Sequence, residues 1–518
     1  MHKNRQFYIV EDSIHLLGQR MSEEKIGRVV STEKSPSFVD VDVRLDPGKM
    51  IRPGQLMFVD ISREEPRHRF AILRVSNAME VNPYENPLSS QVRDAFNIES
   101  SRGREDLLRK YIVVSSEVIE IASIDPKGKF TFEEPSFIIP AGAEVIETLP
   151  EMTSAVLGFP DKDQPTTIMV GTAIGNENIT VSLDANKALP RHILIVGSTG
   201  TGKSYLLGLI TEELKRIGIR HVNIDVHGEL CDATKQLGGT TLVPGSNLTV
   251  KLSSLEEPEV LGMIPIQNQL HIDIVSRAFL NLKKKGTAFD VEDFETEALD
   301  TAEQFGSGKS TVSIISARVQ TLRNISFLGS GFDWINVLKS KGALINIDCR
   351  NLGHWELRTV VGAIARELMF LRKRGQIEPL VISMDEAHLF LPGGESVSSS
   401  QVLAELIRMG RHYGVGIIVS SQSPGDIDRR ITKITNTRFV FAIEPSELAS
   451  VSGLLGDTPQ DLMSNLPRLR VGTCLIAGSR ETVKHSLVVQ VGGRTTKDSG
   501  TTPPMIATEA DPEEKIQK

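Results

Sequence analysis

Cysteine is scarce in this 518-residue sequence. Cys231, Cys349 and Cys474 stand far apart, with no paired spacing for zinc or a disulfide frame. That excludes a disulfide-built scaffold and matches cytoplasmic usage. Long apolar runs are missing too. No stretch of 18 apolar residues occurs, and the opening MHKNRQFYIVEDS lacks the apolar middle of a signal peptide, so neither a membrane partner nor export is expected. Nor is there an excess of positive charge: the formal net charge is -8. This argues against a protein that coats nucleic acid with its whole surface, and leaves room for a locally basic channel.

What the chain does have is a phosphate-binding loop. In RHILIVGSTGTGKS, residues 191–204, the apolar run 193–196 is the pattern of a buried parallel strand. Leu206, Leu207, Leu209, Ile210 and Leu214 then recur at helical spacing. The loop between them, Gly197, Ser198, Thr199, Gly200, Thr201 and Gly202, followed by Lys203, Ser204 and Tyr205, is the candidate nucleotide cradle. Its glycines let successive backbone N–H groups face phosphate oxygens, Lys203 reaches the β- and γ-phosphates of ATP, and Ser204 supplies a hydroxyl to Mg²⁺. A second stretch, Gly306-Ser307-Gly308-Lys309-Ser310-Thr311, ends like such a loop. It has Glu303 where the first glycine is needed and no strand before it, so a polar turn before a helix is expected.

At this length two or three domains are expected. Residues 1–165 read as a small β-barrel, from Val- and Ile-rich runs at 25–30, 39–45, 55–61, 70–75, 110–121 and 137–139. The polar segment 82–106, with Pro83 and Pro87, reads as a surface excursion. Residues 166–254 begin an α/β core, with one or two strands at 166–181. Residues 255–335 break its rhythm with helical patterns at 270–282, 291–302 and 312–325; the core resumes over 336–491, and 492–518 form a polar, proline-containing tail. Lys283, Lys284 and Lys285 close one inserted helix: either a solvated terminus or a DNA contact.

Two further strand ends carry acids. The run 221–226 ends in Asp225-Val226-His227-Gly228-Glu229, where Asp225 either caps the turn or faces a ligand. The run 380–384 leads into Asp385-Glu386-Ala387-His388. There Asp385 would share Mg²⁺ with Ser204, and Glu386 would polarise the water that attacks the γ-phosphate. Gln422, at the tip of the strand 415–420, is placed to sense that phosphate. The only Asn-Lys pair near a core strand, Asn186-Lys187, is followed by Ala188-Leu189 with no guanine-reading Asp, which disfavours a GTPase.

Taken together, Arg191-His192 before the P-loop, Asp225-x-His227-Gly228-Glu229, Asp385-Glu386-Ala387-His388, Gly410-Arg411 with Tyr413-Gly414, and Ser421-Gln422-x-Pro424 with Asp426-Ile427-Asp428 resemble the HerA helicases. These are hexameric, FtsK-related DNA translocases. The resemblance implies an α/β fold: a RecA-like P-loop NTPase core with a helical insertion, behind an N-terminal HAS barrel. It implies Arg411 as a catalytic arginine, Arg191 as the arginine offered to a neighbouring subunit, and Asp225 as support for hydrolysis. Many relatives carry Arg where this chain has Ser423, and Arg429 with Arg430 makes the following segment more basic than usual; with the lysine run, these are the candidate DNA contacts. The implied activity is ATP-driven translocation of double-stranded DNA by a homo-hexamer, working with a NurA-type nuclease in end resection and repair. The alternatives are a HerA-like motor of a phage-defence complex with another effector, and a nucleotide-switched scaffold that moves no DNA.

Overall fold

A computed structural model describes residues 25–32, 35–62, 68–81, 110–124, 130–147, 150–174, 176–394, 397–456, 458–479 and 481–497. The excursion expected at 82–106 and the tail beyond 497 lie outside them. The fold is α/β: a RecA-like P-loop ATPase core with a helical insertion and an N-terminal β-barrel. The chain divides into two compact units, residues 1–202 with 421–493 and residues 203–420 with 494–518.

In the first unit, the barrel strands are β1 (Lys25–Val30), β2 (Asp40–Leu45), β3 (Leu56–Asp60), β4 (His68–Val81), β5 (Tyr111–Ile124), β6 (Phe130–Glu133) and β7 (Glu144–Glu147). They run in the order β2-β1-β7-β3-β4-β5-β6, and β2 returns to pair with β5, which closes the sheet. Closure leaves alternate side chains inside: Val41, Val43, Met57, Val59, Ala71, Leu73 and Val114 share one buried cluster. The opposite face of β3, β4 and β7 is buried too. Phe58, Phe70, Ile72 and Ile146 pack with Val156 of the helix Pro150–Leu157. This double burial is why β3 reads as an unbroken apolar run rather than an alternating one.

The expected strand at 137–139 does not form. Pro135 and Pro140 bracket it and supply no ladder donors, and the segment instead tucks Ile139 and Phe137 against the barrel core. The short strands β6 and β7 and the helix Pro150–Leu157 have no counterpart in the sequence reading.

A second set of hydrogen-bonded strands in this unit has the order Ile193–Val196, Thr437–Val440, Thr473–Ala477, Leu487–Val491, Thr167–Ala173, Asn176–Asp184. The barrel is tied to the loop before Leu487–Val491 by Arg74, which is fully buried. Its guanidinium donates to the Ser486 hydroxyl (2.8 Å) and carbonyl (3.3 Å) and pairs with Glu117 at 2.7 Å.

The second unit holds a parallel array in the order Thr240–Leu242, Leu344–Asp348, Arg220–Asp225, Leu380–Met384, Val415–Ser421. Leu357, Val360, Val361, Ile364, Leu368 and Leu371 form the buried stripe of the helix His354–Lys373. The insertion is helical, at Gln269–Lys285, Val291–Gln304 and Lys309–Gln320. Each boundary has a local cause. Asn268 caps the first helix and Gly286, at φ 70°, ends it; Asp290 and Asp293 cap the second reciprocally. Phe279 packs edge-on against Phe289 and Phe294. Residues 306–308 are a turn before the third helix, as the Glu303-containing stretch predicted.

Arg74 yields a stability test. Arg74→Ala leaves the carboxyl of Glu117 and the Ser486 groups without their partner, so the variant should lose about 3 kcal/mol. Denaturant unfolding of a fragment-free full chain checks this, and an unchanged midpoint would contradict it.

Candidate active site

The parallel register of the second unit sets the site. Ile224 pairs with Met384 and Asp225 with Asp348, so the residues that end these strands emerge at one carboxyl edge, where open α/β sheets bind ligands. Three polar groups gather there around Lys203, the first residue of the helix Lys203–Ile217. Lys203 as a whole is 7% exposed, and its ammonium feels the carboxylates of Glu386, Asp385 and Glu229. Burial holds its pKa below the usual lysine range although all three acids push it up. Asp385 is 6% exposed; burial first, then the neighbouring Glu386 and Glu229, pushes its carboxyl up to about 6.

Glu386 is held in an uncommon conformation, with φ 45° and ψ 49°. A non-glycine residue in the left-handed region costs about 1 kcal/mol or more and persists only when its surroundings over-determine it. Here the Glu386 N–H donates to Asp385 Oδ1 (2.9 Å), the Glu386 carbonyl accepts from the Leu389 N–H (2.9 Å), and His388 Nδ1 lies 3.3 Å from Glu386 Oε2.

Asp225 serves the turn after its own strand. Its carboxylate accepts from the N–H groups of Gly228 (2.7 Å), Glu229 (3.1 Å) and Leu230 (3.0 Å), and from Asn346 Nδ2 (3.0 Å). Of the two readings open at the sequence level, the geometry realises the cap.

The loop before Lys203 has the backbone a phosphate cradle needs. Gly197, Gly200 and Gly202 have φ of 157°, 76° and 117°. A Cβ on Gly197 would fall 2.5 Å from Phe441 Cβ, whereas above Gly200 there is open space. Thr201 braces the loop by donating to the Ser198 carbonyl (2.7 Å), and Ser198 N–H donates to the Ala442 carbonyl (2.8 Å). The Tyr205 hydroxyl accepts from the Arg494 N–H at 2.8 Å. Glu212 on the same helix is capped by Thr495 and Thr496.

These groups fit a nucleoside triphosphate with Mg²⁺. An open glycine loop suits phosphate, and a surplus of buried carboxylate over ammonium suits a divalent cation, which takes one or two carboxylates and completes its shell with phosphate and water. Ser204 and Asp385 are the residues that would hold it.

Each remaining candidate has its own local surroundings. Arg411 is exposed in the last turn of Ser398–Tyr413 and makes no ion pair among the described residues. Arg191, in the first unit, donates to the Lys187 carbonyl and pairs with Glu481. Gln422 is exposed just past its strand. Ser423 bonds Glu447 at 2.5 Å and caps Gly425, a turn-building role. Of the basic candidates, Lys283 donates to the Ser253 carbonyl and lies 3.7 Å from Glu256, Lys285 pairs with Glu297 at 2.7 Å, and Arg430 pairs with Asp428. Lys284 and Arg429 are exposed.

Glu229 stands in the Asp225 motif with no role legible from sequence alone, and the pair Asp348–Arg350 belongs to no motif. Arg350 grips Asp348 through Nε (3.0 Å) and Nη2 (2.6 Å). An arginine two residues past a strand-end acid was the only signal.

The raised Asp385 carboxyl makes a signed prediction. The unfolded value is 3.8 and the folded value about 6, so between them the folded chain holds more protons and stability falls as pH rises. Above that window the deficit is fully present. Asp385→Asn should therefore melt higher than wild type at pH 7.5 without nucleotide, by about 1–3 kcal/mol of stability, with the gain fading toward pH 4. A lower melting temperature at pH 7.5 would contradict it.

Comparison with known proteins places this site in a family context. The family model for the HerA helicase central domain matches residues 168–368. The chain is 24% identical to the DNA double-strand break repair helicase HerA of Pyrococcus furiosus, over 62% of this chain and 69% of that protein. It is 26% identical to the protein of the same name from Sulfolobus acidocaldarius, over 73% and 78%. Among solved structures, VirB4 of Thermoanaerobacter pseudethanolicus aligns with a TM-score of 0.50 at 15% identity, over 65% of this chain and 98% of that one, which shows a shared fold.

Proposed function

We propose that the chain, whose residues 168–368 match the HerA helicase central domain, is an ATP-driven translocase of double-stranded DNA that works as a homo-hexameric ring. The observation that carries the reading is Lys203, buried among Asp385, Glu386 and Glu229 directly after the open glycine loop. In this reading Lys203 and the loop N–H groups hold the β- and γ-phosphates, and Ser204 with Asp385 holds Mg²⁺. The metal supplies neutralisation of charge on the phosphate oxygens. Glu386, directly after Asp385, orients the attacking water and accepts its proton.

One P-loop per chain leaves the site to be completed by a neighbour. Arg191 is the candidate, and its pair with the 59%-exposed Glu481 is a weak surface contact that assembly can break. Arg411, unpaired among the described residues, is the candidate arginine in cis. A nuclease of the NurA type is the partner the family likeness favours, with the barrel as its docking face. DNA contact falls to basic loops; the exposed Lys284 and Arg429 lead, because Lys283, Lys285 and Arg430 already have acidic partners.

The test uses two variants and their mixture. Arg191→Ala should form rings and bind ATP but lose about 10³-fold or more of its DNA-stimulated ATPase. Mixed with Lys203→Ala, it should regain activity at interfaces where an intact Arg191 meets an intact Lys203. Verified mixed rings that recover nothing would remove Arg191 from the site, and a wild-type ATPase indifferent to DNA would count against translocation.

A further inference from the structure

The chain's last described residues, Arg494-Thr495-Thr496-Lys497, form no helix or strand and hold no apolar side chain, yet they lie in the second unit, fastened to the helix that begins with Lys203. Every grip is polar. The Arg494 N–H donates to the Tyr205 hydroxyl (2.8 Å). Thr495 and Thr496 donate their N–H groups to Glu212 at 3.0 and 2.9 Å, and their hydroxyls to the same carboxylate. The Arg494 side chain is only 1% exposed. Its Nε lies 3.5 Å from Glu212 Oε1 and donates to Thr496 Oγ1 (2.8 Å), and its Nη2 donates to the Lys497 carbonyl (3.1 Å). Burial alone would raise the Glu212 carboxyl, but the hydrogen bonds from Thr495 and Thr496 hold it below its usual range.

Tyr205, Gly208 and Glu212 are three and four residues apart, so the gripped positions make one stripe over two turns of the helix. That stripe starts directly after Ser204. At its middle, a Cβ on Gly208 would fall 2.4 Å from Arg494 Cζ, so the guanidinium lies against bare helix backbone. A glycine inside a helix costs stability, and this close approach is what it permits. Leu206, Leu207, Ile210 and Leu214 are buried on the other side of the helix. Apolar packing there is non-directional and leaves the helix free to slide along its axis by a fraction of a turn. Hydrogen bonds to ionised groups are directional and fix that position.

We propose that Arg494 is a positioning residue of the nucleotide site: by holding the stripe Tyr205, Gly208 and Glu212, it sets the axial position from which Lys203 and the first N–H groups of the helix meet phosphate. This rests on the ATP reading given above. An all-polar clasp suits the role, because buried ion pairs are poor sources of stability.

The test reads binding of a fluorescent ATP analogue with Mg²⁺ by the full-length protein, well below every variant's melting temperature and with the assembly state matched by size-exclusion. Arg494→Ala should weaken binding about tenfold, inside the 10²-fold that a misplacement of about 1 Å costs. Arg494→Lys, which keeps the cation beside Glu212 but not the fork, should recover part of that loss. Gly208→Ala improves the helix former and leaves Arg494 in place, yet its methyl lands on the guanidinium, so binding should again weaken about tenfold. The double variant Gly208→Ala/Arg494→Ala has no clash left and should bind no more weakly than Arg494→Ala alone. Binding within about twofold of wild type in both single variants overturns the proposal, even with lowered melting temperatures, since that is the signature of a clasp that only stabilises. Losses that multiply in the double variant overturn it as well. If Arg494→Ala does not fold, Tyr205→Phe decides: it removes only the hydroxyl that the Arg494 N–H reaches and should weaken binding about threefold, and unchanged binding overturns the proposal. The underlying ATP reading has its own control: if wild type and Lys203→Ala bind the analogue equally, that reading fails and takes this inference with it.

Discussion

Everything at the candidate site depends on keeping one ammonium and several carboxylates buried side by side. Lys203 is buried and held below its usual pKa, while Asp385 is pushed above its own, so each group pays for its place before any ligand arrives. Buried ions of this kind are poor sources of stability. They persist because a parallel sheet is rigid and brings its strand ends to one edge. The left-handed Glu386 belongs to the same economy of strain: its backbone is fixed by Asp385 on one side and the Leu389 turn on the other.

The rest of the second unit can be read as support for that edge. The Asp225 turn is satisfied by three N–H groups and Asn346, and Arg350 on Asp348 packs where a larger residue than Gly228 would clash. On the P-loop helix, Glu212 accepts from Thr495 and Thr496 and lies 3.5 Å from Arg494 Nε, and the Arg494 N–H donates to the Tyr205 hydroxyl. The chain's last described residues therefore fix the helix that begins with Lys203. The insertion is anchored in the same unit by Arg366, which bonds Glu259 at 2.5 Å and the Ser254 carbonyl at 2.7 Å.

Much of this was legible in the sequence, because the signals are local. Glycine spacing, an apolar strand and a helical stripe locate the P-loop, and five apolar residues before Asp385-Glu386 locate the second acid pair. The insertion helices were legible through periodicity, and their caps, Asn268 and Asp290, stand where the pattern starts. What was not legible depends on residues far apart in the chain. The strands Phe130–Glu133 and Glu144–Glu147 are too short to show a period, and the two prolines beside 137–139 outweighed its apolar run. Asp225 left two readings open because a carboxylate looks the same whether it faces a ligand or its own turn. The lysine run had equally little to reveal, since its acidic partners Glu256 and Glu297 lie elsewhere in sequence.

The central claim is that hydrolysis at this edge moves double-stranded DNA. It is tested most directly by displacement of a triplex-forming oligonucleotide from a duplex, comparing wild-type rings with Glu386→Gln rings at saturating ATP and Mg²⁺. On the proposed roles, removing the Glu386 carboxylate should lower hydrolysis by about 10²–10⁴-fold while leaving nucleotide binding to Lys203, Ser204 and Asp385. The account predicts that wild-type rings strip the third strand and that Glu386→Gln rings bind the same DNA stably without stripping it. Displacement at the wild-type rate by the hydrolysis-deficient rings would contradict it, leaving nucleotide binding as a switch and not a fuel.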